Sequence, residues 1–429
     1  MKKNFNIAIV GLGQIGCYLL NELNTKKKDI LNKTGKKINI VAISAKNKNK
    51  KRQFKINKKI FYSNPLKIFK NNNLDILIEA IGSSDGMSKK IVEIALKNKV
   101  HVITPNKALI SKHGDYLSNL AEKNKVNLEF EASVGGGIPI LRTIKESLAT
   151  NKISKVYGIL NGTCNYILSQ MEETKEEFSK VLSRAQKLGY AEPINPKLDL
   201  NGYDALAKVK ILSSLAFNNK ISKSKNLMEG IENIENKDFE IVDQLNYRIK
   251  LLGITEIINN QLFERVHPCL VKKNTYIGNV NGVMNAVILE GKPVGESVLQ
   301  GEGAGPGPTS SALMSDILSV LRGNIKFPFG ISHKRRKKIK IYNLNNYTNA
   351  LYLRLEVNDK PGVLSIITRQ LSKYNISVQR LIQIPNNKTK TASIVIITHV
   401  ANEKDSSKCL NSLIGNKNIL KNPVKIRLF

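Results

Sequence analysis

The opening of the chain sets its fold. Phe5–Val10 has the composition of a buried strand. Gly11-Leu12-Gly13-Gln14-Ile15-Gly16 follows at once, ahead of a helical pattern over Cys17–Leu23. A glycine at 11 permits a tight turn. One at 13 lets the backbone approach a pyrophosphate, and one at 16 lets the helix pack close to the strand with its N-terminus facing the phosphates. In that strand–turn–helix context the spacing predicts a doubly wound α/β domain that binds a dinucleotide, with Gly11, Gly13, Gln14, Ile15 and Gly16 as the contacts. The two lysines and short apolar run mimic a secretion signal, but the run is brief and holds Gln14.

The next strand, Ile38–Ile43, ends at Ser44-Ala45 without the Asp or Glu that an NAD site places against the ribose hydroxyls. Lys46, Lys48, Lys50 and Arg52 follow, which favours NADP and leaves NAD as the alternative. A third strand, Leu74–Ile81, ends at Gly82-Ser83-Ser84, on the side where such sheets bind ligands. A helix over Met87–Asn98 and a strand over Val100–Ile103 deliver Thr104-Pro105-Asn106-Lys107. A lysine at that place neutralises phosphate or holds a substrate oxygen; the plain alternative is a surface lysine at a helix start.

A chain of 429 residues with 41% hydrophobic content is long enough for two or three domains. No run of 18 apolar residues occurs, so no membrane span is expected. Four scattered cysteines without CxxC spacing read as reduced thiols, which points to the cytoplasm. The net charge of +34 invites a nucleic-acid reading, but the lysines are spread along the whole chain with abundant Asn and Ile, and there is no Trp. The one dense cluster, His333–Lys340, reads as a solvated linker, and no nucleic-acid partner is expected.

Further on, the strand Leu128–Phe130 enters Glu131-Ala-Ser-Val-Gly-Gly-Gly-Ile-Pro139. Consecutive glycines expose carbonyls that suit a hard cation or a close ligand approach; the alternative is a flexible connector. Asn161-Gly162-Thr163 reads as a strand-to-helix turn capped by the threonine, with polar groups for a substrate carboxylate. Ala185–Lys208 then gathers Glu192, Asp199, Asp204 and Lys208. Asp204 and Lys208 share a helix face. This is a capped helix with an ion pair, or a site that grips an amino acid and moves a proton.

In order along the chain, GLGQIG, TPNKALI, EASVGGGIP, NGTCNYIL, GYAEPINPKLDLNGYDALAK and GEGAGPGPTSSALMSDIL resemble homoserine dehydrogenase from Met1 to about Gly330. Asn195 stands where aspartate is more usual. The resemblance implies interconversion of L-aspartate 4-semialdehyde and L-homoserine with NAD(P)H. It implies Glu192 as partner of the substrate ammonium, with Asp199 and Asp204 shaping the field at the reacting oxygen. Lys208 is then the proton donor and Lys107 its rival. It further implies a monovalent cation such as Na+ at Glu131, Val134, Gly136 and Ile138, and a cofactor contact at Gly303.

The implied architecture is a Rossmann-type domain over 1–130, completed by about 305–330, and an α+β substrate and dimerisation domain over 131–304. A basic linker over 331–349 leads to a ferredoxin-like domain over 350–429. In the last, LEVNDKPGVLSIITRQL resembles the ACT domain, with Asp359, Pro361 and Gly362 in the loop that meets an amino-acid effector, threonine as pathway end product being expected. The family suggests a homodimer or homotetramer and a monofunctional chain. Deletion beyond Lys340 is expected to leave the chemistry intact.

Overall fold

The computed structural model describes residues 2–429 apart from Gln53, Asn72, Lys225, Asn226 and Asn387. Strands β1 (Asn4–Val10), β2 (Lys37–Ser44), β3 (Phe61–Tyr62), β4 (Ile76–Glu79), β5 (His101–Ile103) and β6 (Leu128–Glu129) form a parallel sheet in the order β3-β2-β1-β4-β5-β6. The strands are apolar on both faces because both are covered. Ala8 and Val10 of β1 enter one core, while Ile7 and Ile9 enter another. The order reverses between β1 and β4, which opens a ligand crevice beyond their carboxyl ends. Late in the chain, the helix Pro306–Leu321 returns to this domain and sets Leu313 and Ile317 in one core with Leu19 and Leu23.

The second sheet has ten strands. Its main path runs through the segments 295–302, 284–292, 152–159, 247–258, 261–272, 424–428, 351–358, 391–398 and 378–386. The helices Gly162–Thr174 and Tyr203–Ala216 cover one face, where Ile167, Val209 and Leu212 share a core with Leu251, Leu270 and Val287. The C-terminal part has the β-α-β-β-α-β order that the sequence predicts, with helices Val363–Lys373 and Glu403–Leu413.

That part is not a separate bead. The last strand pairs in parallel with 261–272, Cys269 opposite Arg427 and Leu270 opposite Leu428. The amide of Phe429 donates to the Leu270 carbonyl at 2.9 Å. Buried ion pairs reinforce the junction. Arg354 grips Asp238 through Nε at 2.6 Å and a terminal nitrogen at 3.1 Å, and Arg427 bridges Glu229 and Glu403. The segment expected to detach beyond Lys340 therefore supplies a strand to the sheet before it.

The basic cluster differs from its sequence reading as well. Most of His333–Lys340 faces water, but Arg336 is 2% exposed. Its guanidinium lies 3.9 Å from the Phe329 ring centre, pairs with Asp115 at 2.7 Å and donates to the Asn219 carbonyl. A planar, weakly hydrated guanidinium stacks and forks where an ammonium stays solvated, so one basic residue of the cluster turns inward. The backbone is fixed too: the Lys337 and Lys340 carbonyls accept from the amides of Lys220 and Leu262.

Candidate active site

The glycine turn is tight for reasons visible in its neighbours. Gly11 has φ +102°, and a Cβ there would lie 2.2 Å from the Ala80 carbonyl oxygen. A Cβ at Gly16 would meet the Gly11 oxygen at 1.9 Å, so the helix Gln14–Thr25 approaches the strand as only glycine allows. Gly13, in contrast, faces open space. It caps that helix without a side-chain bond, which leaves the first-turn amides of Gln14, Ile15 and Gly16 available to an anion.

Beyond β2, Lys46 is exposed. Arg52 folds back over its loop, donating to the carbonyls of Asn47 at 2.6 Å and Lys50 at 2.9 Å, while its buried Nε has no partner among the described residues.

Beyond β4 and β5, one buried carboxylate ties two loops together. Glu79 accepts from the Ile81 amide at 2.9 Å, Ser88 Oγ at 2.8 Å and Thr104 Oγ1 at 2.6 Å. Asn106 Nδ2 reaches the same carboxylate and donates to the Ser83 carbonyl at 2.8 Å, while Asn106 Oδ1 caps the helix Lys107–Asn124. Gly82, at φ +98°, and Ser83 are thereby held beside Lys107. Sequence reading passed over Glu79; its signal is a carboxylate closing the otherwise apolar strand ILIE.

Lys107 meets the acid-rich segment directly. Its Nζ lies 2.7 Å from Asp204 Oδ1, and Lys208 Nζ lies 2.9 Å from Asp204 Oδ2. Lys208 also donates to the Leu160 carbonyl at 2.6 Å. Asn161 Nδ2 joins Asp199 at 2.9 Å and Asp204 at 3.0 Å, and its Oδ1 accepts from the Cys164 amide at 2.8 Å. The cap of the helix Gly162–Thr174 is thus Asn161 and not Thr163. Only the residue before the helix has the extended backbone that a cap requires. Thr163 instead holds the Tyr190 carbonyl, fixing the loop that carries Glu192. Gly162 is small because a Cβ would lie 2.7 Å from the Val283 oxygen.

The electrostatics follow from this bridging. Burial pushes the Asp204 carboxyl up, but Lys208 and Lys107 more than offset it and hold the group well below the usual carboxylate range. Asp204 in turn raises the Lys107 ammonium, with smaller help from Asp199 and Glu192. Burial and the Asp204 charge push Asp199 up. The two lysines differ in access: the Lys107 side chain is 42% exposed and that of Lys208 8%. Glu192 is exposed at the rim.

The glycine loop packs beside the cofactor side of the molecule. Gly136 has φ +53°, and a Cβ there would lie 2.6 Å from the Gly303 carbonyl. Gly137 donates to the Glu302 carbonyl at 3.1 Å and Ile138 to the Gly135 carbonyl at 2.9 Å; Val134 is buried in the same turn. Glu131 Oε1 accepts from the Leu141 amide at 2.9 Å, while its buried Oε2 has no partner among the described residues, and burial raises the carboxyl. Gly303 itself is packed against Asn285.

The site so built joins a dinucleotide turn to a two-lysine, multi-carboxylate pocket suited to a zwitterion with a reducible carbonyl. Three family models match the chain: the homoserine dehydrogenase NAD-binding domain over residues 11–131, homoserine dehydrogenase over 139–318, and the ACT domain over 351–413. The homoserine dehydrogenase of Neisseria gonorrhoeae is 37% identical over 94% of this chain and 93% of its own length. That of Helicobacter pylori is 36% identical over the full length of both. The crystal structure of a homoserine dehydrogenase from Thiobacillus denitrificans superposes with a TM-score of 0.89 at 33% identity, covering 100% of this chain and 99% of that one. Matched in every part, this chain belongs to the homoserine dehydrogenase family of oxidoreductases that act on a CH–OH group.

Proposed function

We propose that the Asp204 cluster is the site where L-aspartate 4-semialdehyde and L-homoserine interconvert. The observation that carries the reading is the single carboxylate shared by two lysines of unequal access. In the reducing direction the cofactor supplies hydride to the carbonyl carbon, and the oxygen must gain a proton. Lys208, with two of its three N–H groups engaged by Asp204 and Leu160, turns the third to that oxygen and donates the proton. Lys107, kept cationic by Asp204, steadies the developing negative charge. Glu192 takes the substrate ammonium, with Asp199 and the Asn161–Thr163 turn completing the grip.

NADP is the preferred cofactor in this reading. β2 ends without a carboxylate, and the exposed Lys46 with the nearby Arg52 guanidinium offers charge to a 2′-phosphate. The glycine turn, Gly82, Ser83 and Gly303 complete the cofactor crevice. The partnerless oxygen of Glu131 fits a monovalent cation such as Na+, completed by the carbonyls of Val134, Gly136 and Ile138. Such an ion would brace the turn against the 302–304 loop. Asp359, Pro361 and Gly362 lie exposed at the start of the helix Val363–Lys373, where threonine would bind and feed back. The exposed outer strand 378–386 suits a homodimer or homotetramer, since edge strands pair.

The test is one assay. NADPH and NADH are followed with aspartate semialdehyde, with and without threonine and Na+. Turnover with NADPH in excess over NADH, lowered by threonine, is expected; no turnover with either cofactor overturns the reading.

A further inference from the structure

Asn285 is a fully buried amide. It is the second residue of the strand Met284–Lys292, is 0% exposed, and neither Oδ1 nor Nδ2 has a hydrogen-bond partner among the described residues. A primary amide taken out of water unpaired costs several-fold more than a paired one gains. Its surroundings are made to hold it. A Cβ at Gly303 would lie 2.1 Å from Asn285 Cγ and Nδ2, and a Cβ at Gly162 would lie 3.4 Å from Oδ1. Both neighbours are glycines, one on each side of the site.

The position identifies the ligand chemistry. Gly162 follows Asn161, which binds Asp204 and Asp199. Gly303 precedes the helix Pro306–Leu321, which packs on the helix after the pyrophosphate turn, with a Cβ at Gly307 reaching within 3.8 Å of the Tyr18 hydroxyl. Asn285 therefore stands between the phosphate side and the reacting side, where the nicotinamide end of a dinucleotide must lie. The substrate carboxylate only accepts and its ammonium only donates, so each would use half of the amide. A primary carboxamide uses both halves. Resting on the function proposed above, we infer that Asn285 pairs with the nicotinamide carboxamide, donor to acceptor in both directions, and so fixes which ring face meets the substrate.

The test compares NADP+ with its 3-acetylpyridine analogue, which keeps the acceptor and lacks the donor, by calorimetric titration of the full-length enzyme. Asn285→Ala is expected to weaken NADP+ about tenfold, the size of one to two hydrogen bonds. It is expected to weaken the analogue by no more than about threefold. Melting of the cofactor-free variant should stay level or rise, because an orphaned amide is removed; a purely structural residue would lower it. Asn285→Leu, of similar volume and without either polar atom, gives the same readout should the alanine variant not fold. Equal losses for both ligands, or an unchanged NADP+ Kd with a raised homoserine KM, overturn the inference. Wild-type turnover with homoserine tests the functional reading separately.

Discussion

Two regions of this molecule bury clusters of charge, and they do so to opposite ends. At the junction with the C-terminal part, Arg354 and Arg427 are each gripped by carboxylates on more than one side. Every nitrogen of both guanidiniums is engaged. At the Asp204 cluster, one carboxylate serves two lysines, Lys107 is half open to water, and Asn285 and Glu131 keep idle polar atoms nearby. Saturated charge specifies how elements meet, whereas unsaturated charge awaits a ligand.

The sharpest way to break that contrast is to remove one group from each. Lys208→Ala should lower kcat by about 10²–10⁴, the range for a lost proton donor, with a smaller loss of stability than at the junction because Lys107 and Asn161 still hold Asp204. Near-normal kcat in steady-state assays would move the proton to Lys107. Arg427→Ala should do the reverse. It leaves Glu403 buried beside Lys425 alone and should cost about 3–5 kcal/mol in urea unfolding, while kcat of the folded fraction holds. Truncation after Lys340 strips the partner strand from 261–272 and should yield insoluble protein. A soluble, active truncated chain would return the C-terminal part to the status of a detachable module.

The two regions were unequally legible in the sequence. The pairing of side chains could be read because it is local: Asp204 and Lys208 are one helical turn apart, and the glycine turn follows its strand directly. The β-α-β-β-α-β order was legible from alternation and helical runs. The junction was not, since pairing of Leu428 with Leu270 joins positions far apart in the chain, and no periodicity announces a partner. Asp238 looks like any first-turn acid, and Arg336 like any residue of a basic run, until tertiary packing selects them. Thr163 was read as a cap because it fits the residue preference; Asn161, two residues earlier, fits it equally and alone has the extended backbone.

A third buried charge lies between the two types. Lys250 is fully buried and, among the described residues, donates to neutral acceptors: the Val280 carbonyl at 2.7 Å, Asn281 Oδ1 at 3.0 Å and Asn165 Oδ1 at 3.4 Å. Burial lowers its pKa to about 8. The unfolded chain therefore binds the extra proton between about pH 8 and 10.5, and the lysine's contribution to stability rises with pH across that window. At pH 7 the charged form costs about 3 kcal/mol relative to high pH. Lys250→Met should flatten this term: the stability difference between wild type and variant, from urea unfolding, should shift toward wild type from pH 7 to 10. No drift with pH would mean the charge is as well satisfied as at the junction.

The smallest expected effect lies where charge is least buried. Lys46 is exposed, so its attraction for a 2′-phosphate acts through water and salt. Lys46→Glu should lower the ratio of kcat/KM for NADPH over NADH by about three- to tenfold at low ionic strength, and by less at 0.5 M salt, where the Debye length is only a few ångströms. A ratio that does not move at low salt would assign cofactor choice to Arg52, whose guanidinium is already fixed over the loop. In that event the rule drawn from the two clusters reaches the surface as well. A held donor selects the ligand, and a free, solvated one only raises its local concentration.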